Sequence, residues 1–219
     1  PFHFHCRSTV EPIKGELPPV TIHVPAATIP PMVQPKYLGR LSKPHEFEEE
    51  FFTPRYMIPG VSLEKAYWFD DYGRVIGSKD GLPDRIHFTD NEVQQMANKR
   101  LTHTHSEGYP PSYKDIVFAV LTANLKEIRA DGIFNGNKLI HSIERVGDSW
   151  KYADGSPVDY RFAVKAEDIY LKHMATLKFI EDSLGFDELP SEYVYDTVNL
   201  IAEDIIIMLQ SNYLIFEDK

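Results

Sequence analysis

Between residues 61 and 157, apolar side chains come in short alternating runs that stop at turn-forming residues, which predicts strands joined by turns. Leu63-Glu-Lys-Ala-Tyr-Trp-Phe-Asp70 is rich in aromatic residues, Asp71-Tyr-Gly73 turns, and Arg74-Val-Ile76 returns, as a β-hairpin would. Asp80-Gly81 is a second turn signal and Arg85-Ile-His-Phe88 a third strand. Thr89-Asp-Asn-Glu92 has the form of a capping box, and Val93, Met96 and Ala97 carry a short helix onward. Lys99 to His105 then re-enters the sheet. After a break at Gly108, Pro110 and Pro111, the residues Ile116, Val117, Ala119, Val120 and Ala123 recur at about helical period. Leu125–Phe134 and Asn137–Val146 predict two strands joined at Asn135-Gly136, a dipeptide suited to the tight turn of a hairpin.

Beyond a loop from Asp148 to Pro157, the period lengthens. Val158–Leu184 and Ser191–Gln210 place apolar residues near i, i+3 and i+4, as in Met174, Leu177 and Ile180. Two helices are predicted, ending at Gly185 and near Asn212, with packing against the sheet or each other as their expected role. Upstream the pattern is lost. Pro18, Pro19, Pro25, Pro30, Pro31, Pro35, Pro44, Pro54 and Pro59 disfavour helix and central strand and favour an extended linker over 17–60, with VTIHV (20–24) as a short edge strand. Within it, His45 to Phe52 is acidic and aromatic, and reads as a solvated or docking segment. Residues 1–16 alternate weakly. His3, His5 and Cys6 there lack the second nearby ligand pair that a structural zinc site requires.

Composition narrows the function classes. A chain of 219 residues with 42% hydrophobic and 26% charged residues is expected to be globular. A net charge of −10 argues against a nucleic-acid footprint. No apolar run approaches the roughly 20 residues of a membrane span. One cysteine excludes an internal disulfide framework. The start at Pro1, without Met or a visible signal for secretion, leads us to expect a fragment, a trimmed form or a processed product.

The chemistry concentrates in Leu101-Thr-His-Thr-His-Ser-Glu-Gly-Tyr-Pro-Pro-Ser-Tyr-Lys-Asp115. On a strand, His103 and His105 project to the same side. Ser112 is a good N-cap, and Asp115 falls in the first helical turn, where a carboxylate suits the helix dipole. Strand, loop and helix can therefore bring two imidazoles and one carboxylate to a point. Three N/O ligands with a fourth place open is the layout of a catalytic zinc site.

The His103-x-His105 … Ser112-x-x-Asp115 pattern resembles the JAMM (MPN-domain) metalloprotease motif. The longer string Thr102 to Ile116, continued by Asn124-Leu-Lys-Glu-Ile-Arg-Ala130, is similar to JAMM-like domains appended to phage minor head proteins. Pro1–Ile13, PFHFHCRSTVEPI, resembles the last residues of the Mu F-like head morphogenesis domain that precedes such appendages. The resemblance implies an α/β fold with a mixed, curved, JAMM/MPN-like (cytidine-deaminase-like) sheet and flanking helices. It divides the chain into a Mu F-like tail (1–16), a proline-rich linker (17–60), a metallohydrolase domain (61–157) and a C-terminal helical extension (158–219). It implies that His103, His105 and Asp115 bind zinc, with water in the remaining place and its pKa lowered to around 7. It also implies a Glu on an early strand as general base. Glu64 fits, although Glu46, Glu48, Glu49 and Glu50 also lie upstream. The base would take the water's proton and pass it to the leaving amine. Ser112 would donate a hydrogen bond to the carbonyl oxygen as it gains charge, or only cap its helix.

Two positions depart from the family pattern. Ser106 stands where Pro usually follows the second His, and the loop to Ser112 is one residue shorter than in many members. Both bear on loop rigidity, hence on rate and substrate fit more than on ligation. Other candidates read as structural: Asp70 and Asp71 as turn residues, His87 and His141 as strand residues in core or surface, Trp68 and Trp150 as core or groove rim. The leading expectation is a zinc-dependent peptidase or isopeptidase acting on a protein or peptide, in the bacterial cytoplasm or a phage virion. The alternatives are a binding module with a vestigial site, associated with phage head or portal proteins, and a phage-borne toxin or effector domain.

Overall fold

The computed structural model describes residues 10–12, 64–71, 75–82, 85–105, 108–134, 136–184 and 189–218. Strand β1 (Val10–Pro12) pairs in parallel with β4 (Ile86–Phe88) as a small sheet of its own. The rest of the strands form one six-stranded sheet in the order β3-β2-β5-β6-β7-β8. The aromatic hairpin is β2 (Lys65–Phe69) with β3 (Val75–Asp80). Strand β5 (Arg100–His105) lies antiparallel to β2 and parallel to β6 (Glu127–Phe134). Strands β7 (Asn137–Arg145) and β8 (Ser211–Asp218) extend the sheet antiparallel.

Helix α1 (Asp90–Met96) begins with the predicted capping box: the Glu92 N–H donates to the Thr89 hydroxyl at 3.3 Å, and the Thr89 N–H to the Glu92 carboxylate at 2.6 Å. The crossover between β5 and β6 is α2 (Tyr113–Val117), continued by one π-helical turn, Phe118–Thr122. There the Ala123 N–H reaches the Phe118 carbonyl at 2.9 Å, so the predicted helix widens where its apolar stripe meets the sheet. Helices α3 (Arg161–Leu184) and α4 (Ser191–Ile206) pack on each other and on α2.

Alternation along the strands decides what each sheet face carries. The pairings Ala66↔His103, His103↔Ala130 and Ala130↔His141 put those four residues on one face. Leu101, Ile128 and Ile143 share it, and with Trp68, Phe88, Ile116, Phe118, Ile205 and Tyr213 they form the core. The opposite face carries a buried charged group: Glu127 accepts from Arg100 at 2.7 Å and from Arg129 and Ser142 at 2.5 Å each.

The mixed sheet and flanking helices agree with expectation, but the curved JAMM-like sheet does not. The sheet is open and uncurved, and its edge strands β3 and β8 do not meet. Curvature and closure come from bulges and glycine kinks repeated through a sheet. This ladder has one register shift, between Trp68 and Phe69 against β3. The third predicted strand forms, but in the small sheet rather than the large one. The proline-rich segment, its acidic patch, the pair His3 and His5, Cys6, Ser106, Asn135 and Gly185 lie outside the described residues.

Candidate metal centre

Strand alternation sets His103 and His105 side by side, with their Nε2 atoms 2.9 Å apart. The third donor comes from α2. Asp115 is held there by a reciprocal cap: its N–H donates to the Ser112 hydroxyl at 3.2 Å, and the Ser112 N–H donates to its Oδ2 at 2.8 Å. The same Oδ2 lies 3.4 Å from His103 Nε2 and 3.6 Å from His105 Nε2. All three side chains are buried, and their donor atoms lie within 4.8 Å of one another.

These spacings fit an ion. Arms of about 2.0–2.1 Å in a tetrahedron give donor–donor edges of about 3.3–3.4 Å. The edges found here, 2.9, 3.4 and 3.6 Å, bracket that value. The trio is a group of the right kind to hold a metal. Two imidazoles and a carboxylate suit zinc better than magnesium or calcium, which favour oxygen donors throughout.

Electrostatics in the metal-free site are strongly coupled. Burial works against a charged His103, but the Asp115 carboxylate outweighs it and, with Glu64 assisting, raises the pKa above the ordinary value. Burial lowers that of His105, and the neighbouring His103 charge adds to the effect. Burial alone would raise Asp115, yet the two imidazoles hold it far below the usual carboxylate range. Neither Nδ1 makes a regular hydrogen bond among the described residues, although the backbone at Arg129 and at Tyr109 favours the charged form of His103 and His105 respectively.

Glu64 is buried just before β2, where its N–H donates to the Leu82 carbonyl at 3.2 Å and its carbonyl accepts from Gly81 at 2.7 Å. Two residues on from the Ala66↔His103 pair, the antiparallel register carries Glu64 to the level of His105, on the face of the metal trio. It stands beside the three donors without being one of them. Ser112 offers a lone pair to its cap, which leaves the hydroxyl proton to give.

Two glycines let the chain at Gly108 pack closely on β6. Gly108 adopts φ +66°, a conformation glycine tolerates best. Gly132 faces His105 across the parallel pair, and a Cβ there would overlap the His105 carbonyl oxygen and come within 2.6 Å of the Gly108 nitrogen. Gly132→Ala is therefore expected to displace backbone, at a cost of about 1–3 kcal/mol, and to weaken metal binding. Urea unfolding and zinc titration together check this, and an unchanged midpoint would show that the loop has room to yield. A glycine inside a strand pattern is the sequence signal for such a close approach.

His141, expected in core or surface, is fully buried, with one ring nitrogen 3.1 Å from the Gly108 carbonyl oxygen and the other 2.8 Å from the Tyr213 hydroxyl. His87 is exposed on β4. Trp68 and Trp150 are in the core, where the Trp150 indole donates to the Leu125 carbonyl at 2.8 Å.

No known family model, curated protein or solved structure matches the chain. The candidate metal-holding trio therefore stands on its geometry. No described helix is long and apolar enough to cross a membrane.

Proposed function

We propose that this chain is a zinc-dependent hydrolase of the JAMM type, cleaving a peptide or isopeptide bond in a protein substrate. The observation that carries the reading is the convergence of two imidazoles and one carboxylate, at ligand spacing, beside a buried Glu64. His103, His105 and Asp115 would hold the ion. Zinc bound by three protein ligands supplies a Lewis acid that makes water a nucleophile near neutral pH. Glu64 would accept the proton of the attacking water and return it to the departing amine, so that one carboxylate serves both steps. Ser112 would give its hydroxyl proton as a hydrogen bond to the carbonyl oxygen as negative charge builds there.

Purified protein is expected to carry one zinc per chain, read by elemental analysis, and His103→Ala to carry none. Zinc-free protein that also fails to take up the ion would overturn the reading. Binding must also depend on pH. Because the His103 pKa is raised in the empty site, the ion has to displace a proton there as pH falls below a value above the ordinary 6.5. Affinity should then drop about tenfold per pH unit for the one proton displaced. Equilibrium dialysis from about pH 8 to about pH 5, the range over which a histidine exchanges its proton, checks this.

Complete burial of the trio favours one second reading: a binding module that keeps the ion but does not turn over. The phage-head association implied by the N-terminal resemblance belongs to it. That reading expects zinc without cleavage, and capture by a head or portal protein.

A further inference from the structure

His141 lies near the middle of β7, on the same sheet face as His103 and at the level of the pair His103↔Ala130. Both ring nitrogens are engaged. Nε2 faces the Gly108 carbonyl oxygen at 3.1 Å, and Nδ1 the Tyr213 hydroxyl at 2.8 Å. A carbonyl oxygen can only accept, so Nε2 carries the proton. Nδ1 is then a lone pair, and the Tyr213 hydroxyl must donate to it. The ring is fixed in one tautomer within a directed chain, Tyr213 to His141 to Gly108. Burial pushes the pKa of His141 down to about 3, so this arrangement does not reverse near neutrality.

Gly108 is where that chain enters the metal centre. Its N–H returns toward the His105 carbonyl at 3.4 Å. Tyr109 follows, buried and stacked on Tyr195 of α4 with ring centres 6.0 Å apart. Next come Pro110 and Pro111, whose rings fix φ and leave little slack. Ser112 comes next, and its N–H and hydroxyl aim Asp115. A stiff path of few residues thus joins the His141 bond to the third donor of the site.

We propose that His141, anchored by Tyr213, is a positioning residue that holds Asp115 at ligand distance from His103 and His105 through the Gly108–Ser112 loop. The proposal rests on the metal reading for its purpose, but the ordering of the loop can be measured without metal.

The test compares the full chain with His141→Leu, His141→Gln and Tyr213→Phe. Two quantities are read: zinc affinity by competition with a chromophoric chelator, and amide exchange at Ile116 in metal-stripped protein, with thermal melts as the folding control. The Ile116 N–H bonds to the Ser112 carbonyl at 3.0 Å, so its exchange reports how firmly α2 begins. His141→Leu is expected to weaken zinc about 10–100-fold, as loss of outer support does at other metal sites, and to speed exchange. His141→Gln, whose amide can donate to Gly108, should recover most of both. Tyr213→Phe should fall between. A wild-type protein that binds zinc alongside a folded His141→Leu that binds it equally, with exchange unchanged, would overturn the positioning role and leave the metal reading standing. Should the wild type bind no zinc, the metal reading fails and exchange alone decides: faster in the variants supports the role, unchanged rejects it. If His141→Leu does not fold, Tyr213→Phe decides by the same two readouts, and wild-type values for both reject the proposal.

Discussion

Glu64→Gln is expected to lower kcat on a cleavable peptide or isopeptide by about 10²–10⁴-fold, the usual worth of a positioned general base, while zinc content stays at one per chain. The substitution preserves size and shape, turns one acceptor oxygen into an NH2 donor, and removes the ability to take a proton. It should spare the ion because Glu64 stands outside the trio. Its charge does act on His103: burial lowers the pKa of that imidazole, Asp115 more than offsets the burial, and Glu64 raises the pKa further. Losing that charge should lower the His103 pKa, and it also removes an attraction that acts more strongly on a divalent ion than on a proton, so zinc affinity should fall modestly while the three ligands still hold the ion. Full cleavage by Glu64→Gln would assign the proton transfer to another group. Loss of zinc together with activity would instead make Glu64 a ligand.

Glu127→Gln is expected to destabilise the fold by about 3–5 kcal/mol, the usual penalty for removing one partner from a buried ionic group. One carboxylate, itself buried, serves Arg100, Arg129 and Ser142 on the sheet face opposite the metal trio. Burial opposes its charge, but the two guanidinium groups prevail and bring its pKa from 4.5 down to about 2. A depressed carboxylate stabilises the native state above its unfolded pKa and ceases to do so as pH falls through the folded one. The contribution, about 3 kcal/mol at 1.36 kcal/mol per unit, should therefore be present at neutral pH and disappear between about pH 4.5 and pH 2. Chemical unfolding at pH 7 and at pH 3 measures both effects. If the variant matches the wild type at pH 7, the group is not holding the sheet.

What could be read in the chain beforehand was set by short-range physics. Alternation along β5 places His103 beside His105, and the Ser112/Asp115 cap is a local reciprocity of four residues, so the trio of His103, His105 and Asp115 is legible as one stretch. The capping box at Thr89 and the two long helices were legible for the same reason. Glu64 was different. Its place beside His103 depends on the pairing of β2 with β5, far apart in sequence, and only the family resemblance pointed to it. β8 is not legible because Tyr213-Leu-Ile-Phe216 is a continuous apolar run following a helical pattern, and such a run does not alternate. The part played by His141 could not be seen either, since its partners lie 33 and 72 residues away. The curved sheet came with the resemblance alone, and the flat, open ladder shows that a local ligand pattern does not dictate the shape of the sheet beneath it.

The pairing of β8 with β7 from Lys138 to Arg145 also bears on the order of assembly during synthesis. A ribosome releases every other strand of the large sheet, and all the described helices, before it releases Ser211–Asp218. Until then β7 waits with one row of amide and carbonyl groups unpaired, a template for a neighbouring nascent chain. Expression at low temperature or with a chaperone that shields strand edges should raise the soluble yield, and stalling translation before Ser211 should direct the product into aggregates.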